Sequence, residues 1–271
     1  MGRRHEFPAQ RKALSQVFLR AEWPVHKVVD KLKSWQVSRV LEVGPGGGML
    51  TKALVSAGLK VTAVEKDGRF AEQLVDHFRG DTTATGRIEI VERDVLRFDL
   101  SEWLAISREP TAIVGNIPYN ISSPILMWAL PHLARLKGIC FMVQLEFAQR
   151  LAANPDTKAY GSLSVFTQLR AKVELDCKVD RNCFTPVPKV DSALVSFRGK
   201  TNPLPDKLLS KVELVTRSSF NQRRKILKNA IKPYLGEDRE RTSPIDLSRR
   251  PETLWPEEFV TLAQHLFPKD D

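Results

Sequence analysis

The feature that most limits what this chain can fold into is a regular alternation, from Arg39 to Gln144, of short apolar runs with amphipathic stretches. "RVLEVG", "KVTAVEK", "RIEIVER", "TAIVGN" and "GICFMVQ" are short and apolar, which is how buried strands read. Between them "MLTKALVSAG", "RFAEQLVDHFR" and "PILMWALPHLARL" have helical spacing, and Pro131 should kink or shorten the last. Strands alternating with helices require right-handed crossovers, so the expected fold is α/β, a mostly parallel sheet covered on both faces. An amphipathic helix precedes the alternation in "AEWPVHKVVDKLKSW", where Val25, Val28, Val29, Leu32 and Trp35 recur at helical spacing. Two later β-like runs, "KVELDCKV" and "SALVSFRG", should finish a seven-stranded sheet as an antiparallel pair, while "SLSVFTQLRA" before them reads as helix or strand.

The turn-rich segment "GKTNPLPD", Gly199 to Asp206, looks like a linker. It divides an α/β domain with a basic N-terminal arm, residues 1–199, from a small all-helical domain, residues 200–271. Helices are expected there in "KLLSKVELVTRSSF", "RRKILKNAIKPYL" and "PEEFVTLAQHLF". Apolar runs fall well short of the roughly 20 residues that cross a bilayer, and no apolar stretch resembles a signal peptide. A soluble, unexported, cytoplasmic protein is expected, monomeric by default. Cys140, Cys177 and Cys183 are an odd count without C-x-x-C spacing, which argues against a disulfide framework or a zinc site; no metal is expected.

In an open α/β sheet, ligands bind beyond the carboxyl ends of the strands, so the residues ending each strand carry the functional information. The first strand ends in "EVGPGGG", where Gly44, Gly46, Gly47 and Gly48 permit a tight turn and close approach to a ligand. The spacing is not the G-x-G-x-x-G that seats a dinucleotide pyrophosphate. The second strand ends at Glu65, placed to accept both hydroxyls of a ribose. The third ends near Asp94, which suits an adenine amino group or an ordinary helix cap. A nucleoside pocket without a phosphate cradle favours S-adenosylmethionine over a nicotinamide cofactor. The fourth strand ends in Asn116-Ile117-Pro118-Tyr119, an amide, a rigid proline and an aromatic ring where a core would exclude an unpaired amide. Ser122 and Ser123 before Pro124 read as the next helix start.

The net charge of +10 and a pI near 9.6 point to acidic partners. The charge concentrates at Arg3, Arg4, Arg11 and Lys12, and at Arg223, Arg224, Lys225, Lys228 and Lys232 in "FNQRRKILKNAIK", which has no acidic residue. Solvated helix faces are the plain alternative.

Asn116 to Tyr119 resembles the (Asn/Asp/Ser)-x-Pro-(Tyr/Phe) signature of methyltransferases acting on amino nitrogens of nucleic-acid bases. Together with "RKALSQVFL", "EVGPGGG", "KAYGSLSV", "FTPVPKVDSALVSF" and "FNQRRKILKNAI", it makes the chain similar to the KsgA/RsmA family of small-subunit ribosomal RNA adenine dimethyltransferases. The resemblance implies a Rossmann-like class I methyltransferase sheet, S-adenosylmethionine as cofactor and the immature small ribosomal subunit as partner. It implies that Asn116 and main-chain groups near Ile117 and Pro118 accept from the adenine amino group. Tyr119 and Phe184 are expected to stack on the base, and Arg11, Lys12 and the 223–228 block to hold rRNA phosphates. Cofactor contacts are expected from Val17, Leu19, Gly44, Gly46, Glu65, Asp94 and Asn116. Where the family usually has Gly-Gln-Asn-Phe-Leu, this chain reads Ser15-Gln16-Val17-Phe18-Leu19, so any contact at Val17 must use backbone groups. Two other readings compete: an Erm-like enzyme acting on a large-subunit adenosine, and a ribosome-assembly or mitochondrial transcription-factor relative that acts by binding.

Overall fold

A computed structural model describes residues 17–268 apart from Thr83. Among them the strands are β1 (Phe18–Leu19), β2 (Arg39–Val43), β3 (Lys60–Glu65), β4 (Ile88–Glu92), β5 (Thr111–Asn116), β6 (Gly138–Gln144), β7 (Ala171–Val179), β8 (Phe184–Thr185) and β9 (Ser192–Gly199). The helices are α1 (Trp23–Ser34), α2 (Met49–Ser56), α3 (Gly68–Phe78), α4 (Leu100–Ala105), α5 (Ser122–Ala129) and α6 (Leu145–Leu151), then α7 (Ser162–Arg170), α8 (Asp206–Asn221), α9 (Leu227–Ala230), α10 (Glu237–Arg241) and α11 (Pro256–Leu266).

Seven strands form one sheet in the order β4-β3-β2-β5-β6-β9-β7. β2 pairs in parallel with β3 and β5, β3 with β4, and β5 with β6, whereas β9 runs antiparallel to β6. The chain builds outward from β2 to β4, then restarts on the other side of β2 with β5. That reversal opens a crevice at the carboxyl ends of β2 and β5. β2 is buried along its whole length, including Arg39 and Glu42. Arg39 is tolerated there because its guanidinium stacks 3.7 Å over the Trp103 ring and donates to the Trp103 carbonyl at 3.1 Å. On one side of the sheet Val40, Val61, Ala63 and Val114 pack with Leu54 of α2 and with Val25, Val28 and Leu32 of α1. As the proline requires, α5 ends at Ala129 and continues as a 3-10 turn, Leu130–Arg135.

The chain divides into two compact units. One runs through Ala148 and takes in Glu174–Gly199; the other holds Gln149–Val173 and everything from Lys200 onward. The division expected at 199/200 therefore misses residues 149–173. They belong with the helices because Tyr160, Val165 and Leu169 share a core with Leu209, Val215, Phe259 and Leu262. The Tyr160 hydroxyl donates to the Leu254 carbonyl at 2.7 Å, and its ring meets Phe220 edge-on. "SLSVFTQLRA" resolves as helix α7. The long helix expected over "RRKILKNAIKPYL" is broken: residues 222–226 form a turn, α9 has four residues, and a 3-10 turn carries Pro233. Its first amides find acceptors elsewhere in the unit, Leu227 N at the Arg249 carbonyl and Lys228 N at that of Leu247.

Candidate active site

The strand ends meet at the crevice. β5 approaches β2 so closely that a Cβ on Gly115 would lie 2.5 Å from the Val43 carbonyl oxygen, so only glycine fits before Asn116. Beyond β2, Gly44 N donates to the Val64 carbonyl, and Gly46 N donates to Glu65 Oε2 at 3.0 Å. Glu65 Oε1 accepts from Asp67 N at 2.9 Å, so the buried carboxylate ties the glycine loop to the end of β3. Burial pushes its pKa up against the backbone amides that favour its charge. Gly46 adopts φ +50, and a Cβ there would meet the Phe18 ring at 2.8 Å. Phe18 in turn packs on Phe70, with ring centroids 5.2 Å apart.

These groups surround a cavity of about 770 Å³, a size suited to a nucleoside-bearing ligand. Val17, Leu19, Gly44, Gly46, Glu65, Asp94 and Asn116 to Tyr119 all line it. Asp94 does cap a helical turn, its Oδ1 accepting from Leu96 N at 3.1 Å. Its Oδ2 pairs with Lys66 at 2.7 Å, and this lysine, with the cap, holds the carboxyl below its usual range. Glu42 also lines the cavity and was absent from the sequence expectations. It is 1% exposed, its Oε2 has no partner among the described residues, and burial, with the nearby Glu65 charge, pushes its pKa up to about 8. The signal was present in "RVLEV": an acid inside an otherwise apolar strand needs a reason.

At the end of β5 the Asn116 amide is fixed. Its Nδ2 donates to the Val17 carbonyl at 2.8 Å, and since that carbonyl can only accept, Oδ1 is the atom left to take a proton donor. Val17 thus contributes through its backbone, as its apolar side chain requires. The Pro118 carbonyl already accepts from Ile121 N and Ser122 Oγ, which leaves the Ile117 carbonyl as the main-chain acceptor. The Ile117 side chain is buried. Tyr119 is half-buried, and its hydroxyl lies 2.8 Å from Ser192 Oγ.

Phe184 departs from expectation. It is fully buried, packed with Met142 and Val179 and against Val17 and Leu19, and does not line the cavity. The cause is the arm: β1 pairs antiparallel with β8, matching Leu19 with Phe184, while Arg20 N donates to the Cys183 carbonyl at 2.8 Å. Phe184 thereby supports the segment whose Val17 carbonyl reaches Asn116.

Among the basic residues Arg11 and Lys12, with Arg3 and Arg4, lie outside the described residues. Arg223 is engaged within its own unit: Nε donates to Glu252 at 2.6 Å, and its remaining nitrogens to the Lys158 and Thr157 carbonyls. That engagement occupies the donors expected to hold phosphate. Lys228 pairs with Glu240. Arg224 and Lys225 are exposed, with no side-chain partner among the described residues. Among those residues no helix is long and apolar enough to cross a membrane, and no cluster of His, Cys, Asp or Glu could hold a metal ion.

The strand order, the reversal beside β2 and a cavity ending on Asn-Ile-Pro-Tyr define a Rossmann-like methyltransferase. Its solved likenesses include the 23S rRNA methyltransferase ErmE, with TM-score 0.68, 29% identity and coverage of 92% of this chain and 99% of that one. A dimethyladenosine transferase from Plasmodium falciparum shares the fold, with TM-score 0.70 at 24% identity over 90% of this chain and 95% of the other. The chain belongs to the ribosomal RNA adenine dimethylase family, whose model matches residues 8–266. Ribosomal RNA small subunit methyltransferase A of Pseudomonas aeruginosa is 36% identical over 259 residues, covering 94% of each chain. Its counterpart in Shewanella pealeana is 34% identical over 260 residues, 96% of each.

Proposed function

We propose that this chain transfers methyl groups from S-adenosylmethionine to the amino nitrogens of two adjacent adenosines near the 3′ end of small-subunit rRNA, twice to each. The immature small subunit is its partner, and it acts on that particle as a cytoplasmic monomer contributing to small-subunit biogenesis. The observation that carries the reading is the Asn116 amide, turned by the Val17 carbonyl so that its oxygen is free to accept.

The residues fit the cofactor. The orphaned, buried Oε2 of Glu42 offers an acceptor for an ammonium group, whose positive charge would favour the ionised carboxylate. Glu65 accepts from the backbone amides of Gly46 and Asp67, and its remaining acceptor capacity faces the cavity for ribose hydroxyls. Asp94 can take an adenine amino group by sharing Oδ2 with Lys66. Gly44, Gly46 and Leu19 provide the close apolar wall. When bound, S-adenosylmethionine supplies an electrophilic methyl on a sulfonium.

The adenine amino nitrogen is a poor nucleophile because its lone pair is delocalised into the ring. In the first transfer Asn116 Oδ1 and the Ile117 carbonyl accept its two N–H bonds, which favours a pyramidal nitrogen and directs the lone pair; in the second, one of them holds the single N–H that remains. No general base is required before attack, because the nitrogen sheds its proton to water only after it has gained the methyl and become cationic; alignment of the reacting atoms provides much of the acceleration. Tyr119 stacks on the base, worth about 1–3 kcal/mol. The base must leave its stack to reach the site, so phosphate contacts are needed nearby. Arg224, Lys225 and Lys228, with Arg11 and Lys12, are proposed for them.

The small-subunit reading is favoured over the large-subunit one because relatives at 34–36% identity carry the small-subunit name, whereas ErmE stands at 29%. Parallel assays on undermethylated small subunits and on free large-subunit rRNA separate the two. Transfer to the large-subunit RNA alone would reverse the assignment.

A further inference from the structure

Tyr119 comes from the loop after β5, yet its hydroxyl meets Ser192 Oγ, on β9, at 2.8 Å. Ser192 is 0% exposed and stands first in its strand, opposite Gln144. Its backbone is pinned from the preceding residue. The Asp191 carbonyl accepts from Leu145 N, Asp191 Oδ1 accepts from Arg181 N, and Asp191 Oδ2 pairs with Lys178 at 2.7 Å. Among the described residues the Ser192 hydroxyl has no other partner.

We propose that Ser192 is a positioning residue for methyl transfer, holding the Tyr119 phenol so that the ring stands as a fixed platform for the target adenine. The inference rests on the stacking role given to Tyr119 above. A phenylalanine would fill the same space, so stacking alone does not call for the hydroxyl. A half-buried phenol and a buried serine each lose water on folding, and each supplies what the other lacks. The result is directional: the ring tip is fixed to β9 while the Tyr119 backbone is fixed after Pro118. The neighbouring acceptor, Asn116, is fixed independently by the Val17 carbonyl, just before β1. Both substrate-facing side chains of the motif are therefore oriented before a base arrives, each by a different element. Because phosphate contacts dominate RNA affinity, loss of this orientation should act on kcat and leave KM for the particle nearly unchanged.

The test compares Tyr119→Phe, Ser192→Ala, the double variant and Tyr119→Ala on undermethylated small subunits, with melting temperatures measured alongside. Each of the first two should lower kcat by about three- to tenfold, and the double variant should be no worse than either. Independent, multiplying losses would overturn the proposal, as would unchanged kcat in both while Tyr119→Ala is impaired. An unimpaired Tyr119→Ala would overturn the stacking reading and this inference with it. Should Ser192→Ala fail to fold, Tyr119→Phe leaves β9 intact: reduced kcat at an unchanged melting temperature supports the tether, and unchanged kcat overturns it.

Discussion

Glu42→Gln keeps the shape of a buried side chain and removes its ability to ionise. The carboxyl titrates near 8 in the folded chain against 4.5 in the open. At about 1.4 kcal/mol for each tenfold change in proton activity, that difference amounts to on the order of 5 kcal/mol. Below the unfolded value both states hold the proton and Glu42 has no pH-dependent effect. Between 4.5 and 8 the unfolded chain ionises while the folded chain stays protonated, so stability falls as pH rises, and above 8 the full penalty applies. The variant escapes this loss. At pH 7 its advantage has an upper bound of about 3 kcal/mol, reduced because the new amide nitrogen occupies an unpartnered place. For a chain of this size each kcal/mol moves the melting temperature by about 2–4 °C. Thermal unfolding of both proteins without cofactor, from pH 5 to 8.5, should show a gap that is small at the acid end and widens steadily. A gap that does not change with pH would refute the assignment of a raised pKa to Glu42.

Asn116→Ala should lower kcat by about a hundredfold or more, with the melting temperature nearly unchanged, because it removes an aligned acceptor from a half-buried position. Val17→Asn should alter cofactor affinity, measured by titration calorimetry, by about twofold or less, since Val17 acts through its carbonyl. Arg223→Ala and Arg224→Ala should separate cleanly. The first loses the Glu252 pair and two carbonyl contacts and should destabilise by about 1–2 kcal/mol, discounted for its partial exposure. The second should leave melting unchanged and reduce the salt slope of particle binding by about 1.

The sheet was legible because most of its strands are short, largely apolar runs separated by stretches of helical spacing, and the site because ligands in such sheets sit at strand ends. Periodicity could not tell which core an apolar helix joins. Residues 149–173 therefore read as part of the α/β domain, although Tyr160, Val165 and Leu169 pack with the C-terminal helices. Two-residue strands leave no periodic trace, so the β1–β8 pair that matches Leu19 with Phe184 was out of reach. A charge run likewise does not reveal its partners. Arg223 looks like Arg224 in sequence, and only the fold brings Glu252 and two carbonyls to it.

The most direct measurement is labelled methyl incorporation from S-adenosylmethionine into undermethylated small subunits, mapped by nucleotide, for the natural chain and for Asn116→Ala. The account predicts dimethyladenosine at two adjacent positions near the 3′ end of the small-subunit RNA, nearly absent with the variant. No transfer by the natural chain, or equal transfer by Asn116→Ala, would contradict it.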